Sequence, residues 1–322
     1  MEPVNAYGAG FAAAKDEKKR IWLLGSLSGG AVLLYIFLQN LLVGGLRLIG
    51  LYEAYTSNAL LQAGVDILLV LVCLLLPFLL LEKPMARISG NRSALALDAP
   101  RPKADVVPAI FAGIGFCVFA NLVTGYLTQF IMDFGVELSS PDLPMPSGVL
   151  GVLSSFFRVA VVAALTEEIC FRGVVMGHLR RFGDFFAVAM ASVVFALMHC
   201  NLIQAPFALI VGFALGYLCI RTGSLWTGIA VHALNNSISL VFSYLLERYD
   251  ENTINFVYTV LIYALMAAGA IGVCILLARR RPRPAQPRSA LGFWQKTFWF
   301  FFNPPMLVAL GLMVWFTAQY VG

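Results

Sequence analysis

Residues 59–81 read ALLQAGVDILLVLVCLLLPFLLL, an apolar run whose one charged residue is Asp66. A helix needs about 20 mostly apolar residues to cross the hydrocarbon core of a bilayer. This run meets that length, and it is one of nine candidates. The others lie near Ile21–Ile49, Val106–Met132, Val149–Met176, Phe185–His199, Ile203–Ile220, Leu225–Leu246, Ile254–Ala278 and Pro305–Val321. Composition agrees with them. Of 322 residues, 60% are hydrophobic and 12% charged, and mean hydropathy is +0.83. A water-soluble domain carries about 25% charged residues to cover its surface, so lipid must cover much of the surface here. The fold class is all-α, a polytopic transmembrane helical bundle of about 8–9 spans. The fifth and sixth candidates are short. The fourth is too long for one simple crossing. The ninth follows an aromatic, proline-broken stretch, Phe298–Pro305.

Lys and Arg set the orientation, because loops rich in them stay cytoplasmic. Basic residues gather before span one (Lys15 to Arg20) and between spans two and three (Lys83, Arg87, Arg92, Arg101, Lys103). They recur at Arg180 and Arg181, at Arg221, and from Arg279 to Lys296. The alternate loops carry Glu53, then Asp133, Glu137 and Asp142, then Glu247, Asp250 and Glu251. This alternation places the N-terminus in the cytoplasm and the chain in the plasma membrane. The net charge of +5 belongs to these loops, facing lipid headgroups. Membrane lipids are the expected partners, and nucleic acid is not.

The chain divides into a mobile cytoplasmic N-terminus (1–20), N-terminal spans (21–148), a core (149–240) and C-terminal spans (241–322). The last part contains a basic, proline-broken linker (278–297). Span one is too long for a signal peptide and lacks a small-residue cleavage site. The six cysteines form no CxxC pair and read as small buried hydrophobes. His178, beside Arg180 and Arg181, reads as a surface histidine at a helix end.

Ionisable groups within spans are costly and are functional suspects by default. Span four carries Thr166-Glu167-Glu168-Ile169-Cys170-Phe171-Arg172. Glu168 and Arg172 stand four residues apart, share a helix face and can pair. Glu167 points about 100° away and lacks that partner, which suits a group that takes and returns a proton. The bland alternative is a structural ion cluster. In span seven, His232 and Asn236 share a face and could bind a metal, a water or a developing oxyanion. In span five, Phe195 lies one turn before His199. Counted at 1.5 Å per residue from the basic ends, Glu167, His199, His232 and Asn236 fall at depths of roughly 14–22 Å. One shared site is the economical reading. Gly212 and Gly216 of span six form a GxxxG step, a packing feature. Asp66 has no evident role.

Glu167-Glu168-x-x-x-Arg172, then Phe195-x-x-x-His199, then His232-x-x-x-Asn236, resembles the CPBP family of CAAX-protease and bacteriocin-processing intramembrane proteases, also called Abi. The resemblance covers about Val149–Leu240. It implies a helical membrane core with a polar intramembrane cavity, and cleavage of a peptide bond in a membrane-associated protein or peptide. By the same resemblance Glu167, helped by His199, activates a water. His232 and Asn236 stabilise the oxyanion or join a metal, and Glu168 and Arg172 position helix and substrate. Glu167, His199, His232 and Asn236 could hold Zn2+ with an open position, and a metal-free route is equally open. There is no HExxH. Two rival readings are a non-catalytic scaffold or immunity protein of the same fold, and a proton-coupled transporter, which would call for repeat symmetry.

Overall fold

The computed structural model describes residues 3–91, 94–139, 148–279 and 289–322, with the backbone alone given for 3–11 and 59. Ten helices matter here. They are α1 (Pro3–Leu48), α2 (Leu60–Ser89), α3 (Val106–Asp133), α4 (Gly148–Phe182), α5 (Asp184–Leu197), α6 (Gln204–Thr222), α7 (Leu225–Leu246), α8 (Glu251–Ala278), α9 (Phe293–Phe301) and α10 (Pro304–Ala318). Seven are long and apolar enough to cross a membrane, and eight if the bent pair α9–α10 counts as one span. The described residues contain no strand beyond one isolated pairing, Leu138 with Val321. The middle of the basic linker, residues 280–288, lies outside the described residues, as do Arg92 and Asp142.

The fifth candidate is the exception to the expected spans. Helix α5 has 14 residues, about 21 Å, too short to cross a core about 30 Å thick. Its side chains explain why it can be short. Phe186 to Ser192 and Val194 to Ala196 are all buried. A helix apolar on every face belongs inside a protein, and one sheathed by other helices need not reach from water to water. α5 is the axle of the bundle, packed by α4, α6, α9 and α10 within a core to which α1 and α2 also contribute. The GxxxG step of α6 works as expected. A Cβ on Gly212 would stand 2.9 Å from Ser192, and one on Gly216 would stand 3.0 Å from Val188, so α6 lies tight on α5.

The ninth candidate is one arm of a bent pair. α9 and α10 meet at 79° across Asn303, whose side chain caps Met306 N. α9 carries exposed Trp294 and Phe298, while Lys296 turns inward and donates to Phe182 O at 2.6 Å. Two further readings change. His178 is fully buried, 3.0 Å from Ser89 Oγ, and is no surface residue. Cys274 is exposed and Cys200 half-buried, whereas Cys73, Cys117, Cys170 and Cys219 are buried.

Candidate active site

Helix α4 departs from α geometry twice. Its α-helical turn Ala164–Glu168 is flanked by π-helical turns at Phe157–Ala163 and Ile169–Met176. Helix α2 has a third, at Leu69–Leu75, packed against this part of α4. Such turns are rare and collect at functional sites, because each widens the helix and re-aims its side chains. Here they bracket the two glutamates.

Glu168 and Arg172 pair as expected, Nη1 to Oε1 at 2.9 Å, with both side chains essentially inaccessible. The same Oε1 accepts from His232 Nδ1 at 2.9 Å. A carboxylate oxygen only accepts here, so Nδ1 carries the proton and Nε2 is the free nitrogen. His232 Nε2 lies 3.7 Å from Glu167 Oε2. Glu167 therefore has a partner after all, on α7 and not on its own helix. Its side chain is 23% exposed and that of Glu168 is sealed. Adjacent carboxylates thus meet different surroundings: one is locked in ion pairs, the other is partly exposed. A gap of 3.7 Å exceeds a direct hydrogen bond and suits a water touching both groups.

His199 sits just past the end of α5. Its Nδ1 donates to Phe195 O at 2.9 Å, so it too presents Nε2. Phe195 is the hub that joins the pieces. Its ring meets His199 at 4.9 Å and His232 at 6.1 Å, and the Arg172 guanidinium stacks on it at 4.3 Å. That contact gives the buried cation a second favourable neighbour. Asn236 lies one turn beyond His232. Its Nδ2 donates to Val159 O at 3.0 Å, inside the first π-helical turn, and its Oδ1 accepts from Asn235 at 3.3 Å. Asn236 is thus beside the cluster, with its amide turned onto the backbone of α4.

The site is packed tightly behind Glu168. A Cβ on Gly228 would lie 2.8 Å from Cys219 Sγ and 3.1 Å from Glu168 Oε2, so only glycine lets α7 approach the carboxylate. Glu168 Oε2 and Arg172 Nη2 are buried without a protein partner, each at a cost of about 1–3 kcal/mol. As for zinc, no three His, Cys, Asp or Glu side chains come together as a ligand group among the described residues. Both Nδ1 atoms and the Asn236 amide are engaged elsewhere.

Three residues escaped the sequence reading. Tyr35 of α1 lies within electrostatic reach of Glu167, Cys200 and Cys73. Arg158 of α4 binds Asp66 of α2 at 2.7 Å, and Tyr55 OH donates to the other Asp66 oxygen at 2.8 Å. Asp66 is therefore a counter-ion for Arg158, which lies about two and a half turns of α4 before Glu167. Asn201, two residues after His199, is buried and caps Ile203 and Gln204.

Residues 149–238 match the family model described as type II CAAX prenyl endopeptidase Rce1-like. That stretch of the chain is similar to the core of this family. All seven motif residues, Glu167 to Asn236, fall inside the matched stretch. Two curated relatives are similar over wider ranges. One is the YdiL protein of Bacillus subtilis (strain 168), which bears the name of a membrane peptidase and is 24% identical over 135 residues. That alignment spans 40% of this chain and 53% of YdiL, so the chain spans about half the length of that relative. The other is the membrane-embedded CAAX protease MroQ of Staphylococcus aureus (strain USA300), 28% identical over 187 residues, 53% of this chain and 73% of MroQ. No solved structure matches.

Proposed function

We propose that the Rce1-like core is an intramembrane endopeptidase whose water is activated by Glu167. The observation that carries this reading is the convergence of Glu167, Glu168 and His232 within 2.9–3.7 Å on helices α4 and α7, inside the stretch that matches a peptidase family. Glu167 takes a proton from water, whose oxygen adds to the scissile carbonyl carbon. His199 Nε2 helps to hold that water. His232, oriented through Nδ1 by Glu168, faces the developing oxyanion with Nε2 and donates to it when protonated. The second N–H of Asn236 Nδ2 is a further donor. Collapse breaks the C–N bond, and the proton on Glu167 passes to the leaving amine. A carboxylate and a protonated amine result.

The route proposed is metal-free, and each step above uses only the chain's own groups. The substrate class is a membrane-associated protein or peptide, in keeping with the names of the relatives. The basic loops support an N-terminus in the cytoplasm. The test is hydrolysis in H2(18)O by the purified chain in liposomes, with a fluorophore–quencher library of membrane-anchored peptides. One (18)O in each new carboxylate is expected, unaffected by a strong chelator. No cleavage of any library member overturns the reading in favour of a scaffold. Loss on chelation with recovery on zinc overturns the metal-free route.

A further inference from the structure

The single strand-like pairing among the described residues is tied to the segment that follows His199. Glu137 and Gly322 exchange backbone hydrogen bonds, N to O at 3.0 and 2.8 Å, and Ser139 N donates to Tyr320 O at 3.0 Å. Leu138 and Val321 face each other between them. The ribbon is moored to the site by Asn201, whose Nδ2 donates to Ser139 O at 2.6 Å. Asn201 is buried and lies two residues from His199, across Cys200, which adopts φ +49°. That left-handed conformation is strained for a non-glycine residue and clusters where function requires a particular geometry. The ribbon itself is exposed at Glu137, Ser139, Val321 and Gly322. Few backbone bonds and little burial mean that such a segment opens easily.

We propose that residues 137–139 are the strand on which a substrate peptide is laid out, and that residues 320–322 hold that place until a substrate displaces them. The inference rests on the hydrolase reading above. A scissile peptide bond must be extended and fixed before a water can reach its carbonyl, and an open strand edge fixes an extended backbone irrespective of side chains. The edge of 137–139 supplies the N–H groups of Glu137 and Ser139 for this purpose, and Asn201 sets its distance from His199. Residues 320–322 demonstrate that an extended segment fits there.

The test is a reversible lock. Facing residues of a non-hydrogen-bonded antiparallel pair lie about 4.5 Å apart at Cα, within disulfide range. Leu138→Cys with Val321→Cys is oxidised in liposomes, checked for the crosslink by mass spectrometry, and assayed on the peptide library before and after reduction. At least a tenfold loss of kcat/KM, reversed by reductant and absent from either single variant, is expected. A crosslinked chain that cleaves at the parent rate overturns the proposal. Gly322→Pro removes the N–H given to Glu137 and needs no crosslink. It should raise kcat/KM several-fold, and an unchanged value counts against the proposal. Glu167→Gln runs alongside. If it cleaves as fast as the parent, the hydrolase reading fails first and takes the strand with it.

Discussion

Arg172→Met removes the one permanent cation beside Glu168. Glu168 is 0% and Arg172 1% exposed at the side chain, so water cannot replace the lost partner. Breaking a buried pair by deleting one member costs about 3–5 kcal/mol, and loss of the stacking on Phe195 at 4.3 Å adds up to about 2 kcal/mol. His232 Nδ1 stays on Glu168 Oε1 and offsets part of this. A net loss of about 3 kcal/mol follows, or some two orders of magnitude in the folded-to-unfolded ratio, a large share of an ordinary protein's stability. Equilibrium unfolding in mixed micelles measures it. Adding Glu168→Gln should restore most of the stability, because the stranded charge disappears. Peptidase activity should not return, since a glutamine amide no longer holds His232 as a carboxylate does. A single variant within about 1 kcal/mol of the parent, or a double variant no more stable than the single, would refute the buried-pair reasoning.

Asp66→Asn should destabilise the chain by about 2 kcal/mol, less than Arg172→Met because the Asp66–Arg158 pair is partly exposed. Adding Arg158→Met should recover the loss, as read by the same unfolding assay. Tyr35→Phe should lower kcat with unchanged melting temperature if the phenol shares the reacting space with Glu167; a kcat within twofold of the parent excludes that role. Asp250 caps α8, and hydrogen bonds from the backbone and side chain of Thr253 hold its carboxyl below the ordinary 3.8. Its capping contribution is therefore complete above the unfolded-state value and disappears as pH falls through the lower folded value. An NMR titration of Asp250 that midpoints at or above 3.8 contradicts this.

The spans were legible because lipid exposure leaves a compositional mark. That mark is a length of apolar residues, and it misleads only where protein replaces lipid, as at α5. The motif pairs were legible because Glu168 with Arg172 and His232 with Asn236 sit one helical turn apart. What crosses between helices was not. Nothing in the sequence says that His232 Nδ1 meets Glu168, 64 positions away, or that Arg158 answers Asp66, 92 positions away. The π-helical turns were also hidden, since an apolar run reads the same with either hydrogen-bond pattern. His178 was misplaced because neighbouring arginines suggested a surface, whereas Ser89 and Glu82 of α2 cover it.

The most direct measurement compares the parent chain with Glu167→Gln in the liposome peptide assay. The substitution keeps shape and volume and removes the proton acceptor. Loss of at least about a hundredfold in kcat, in the range of general-base catalysis, is predicted, with stability and KM nearly unchanged. Equal kcat in the two chains would contradict Glu167 as the base.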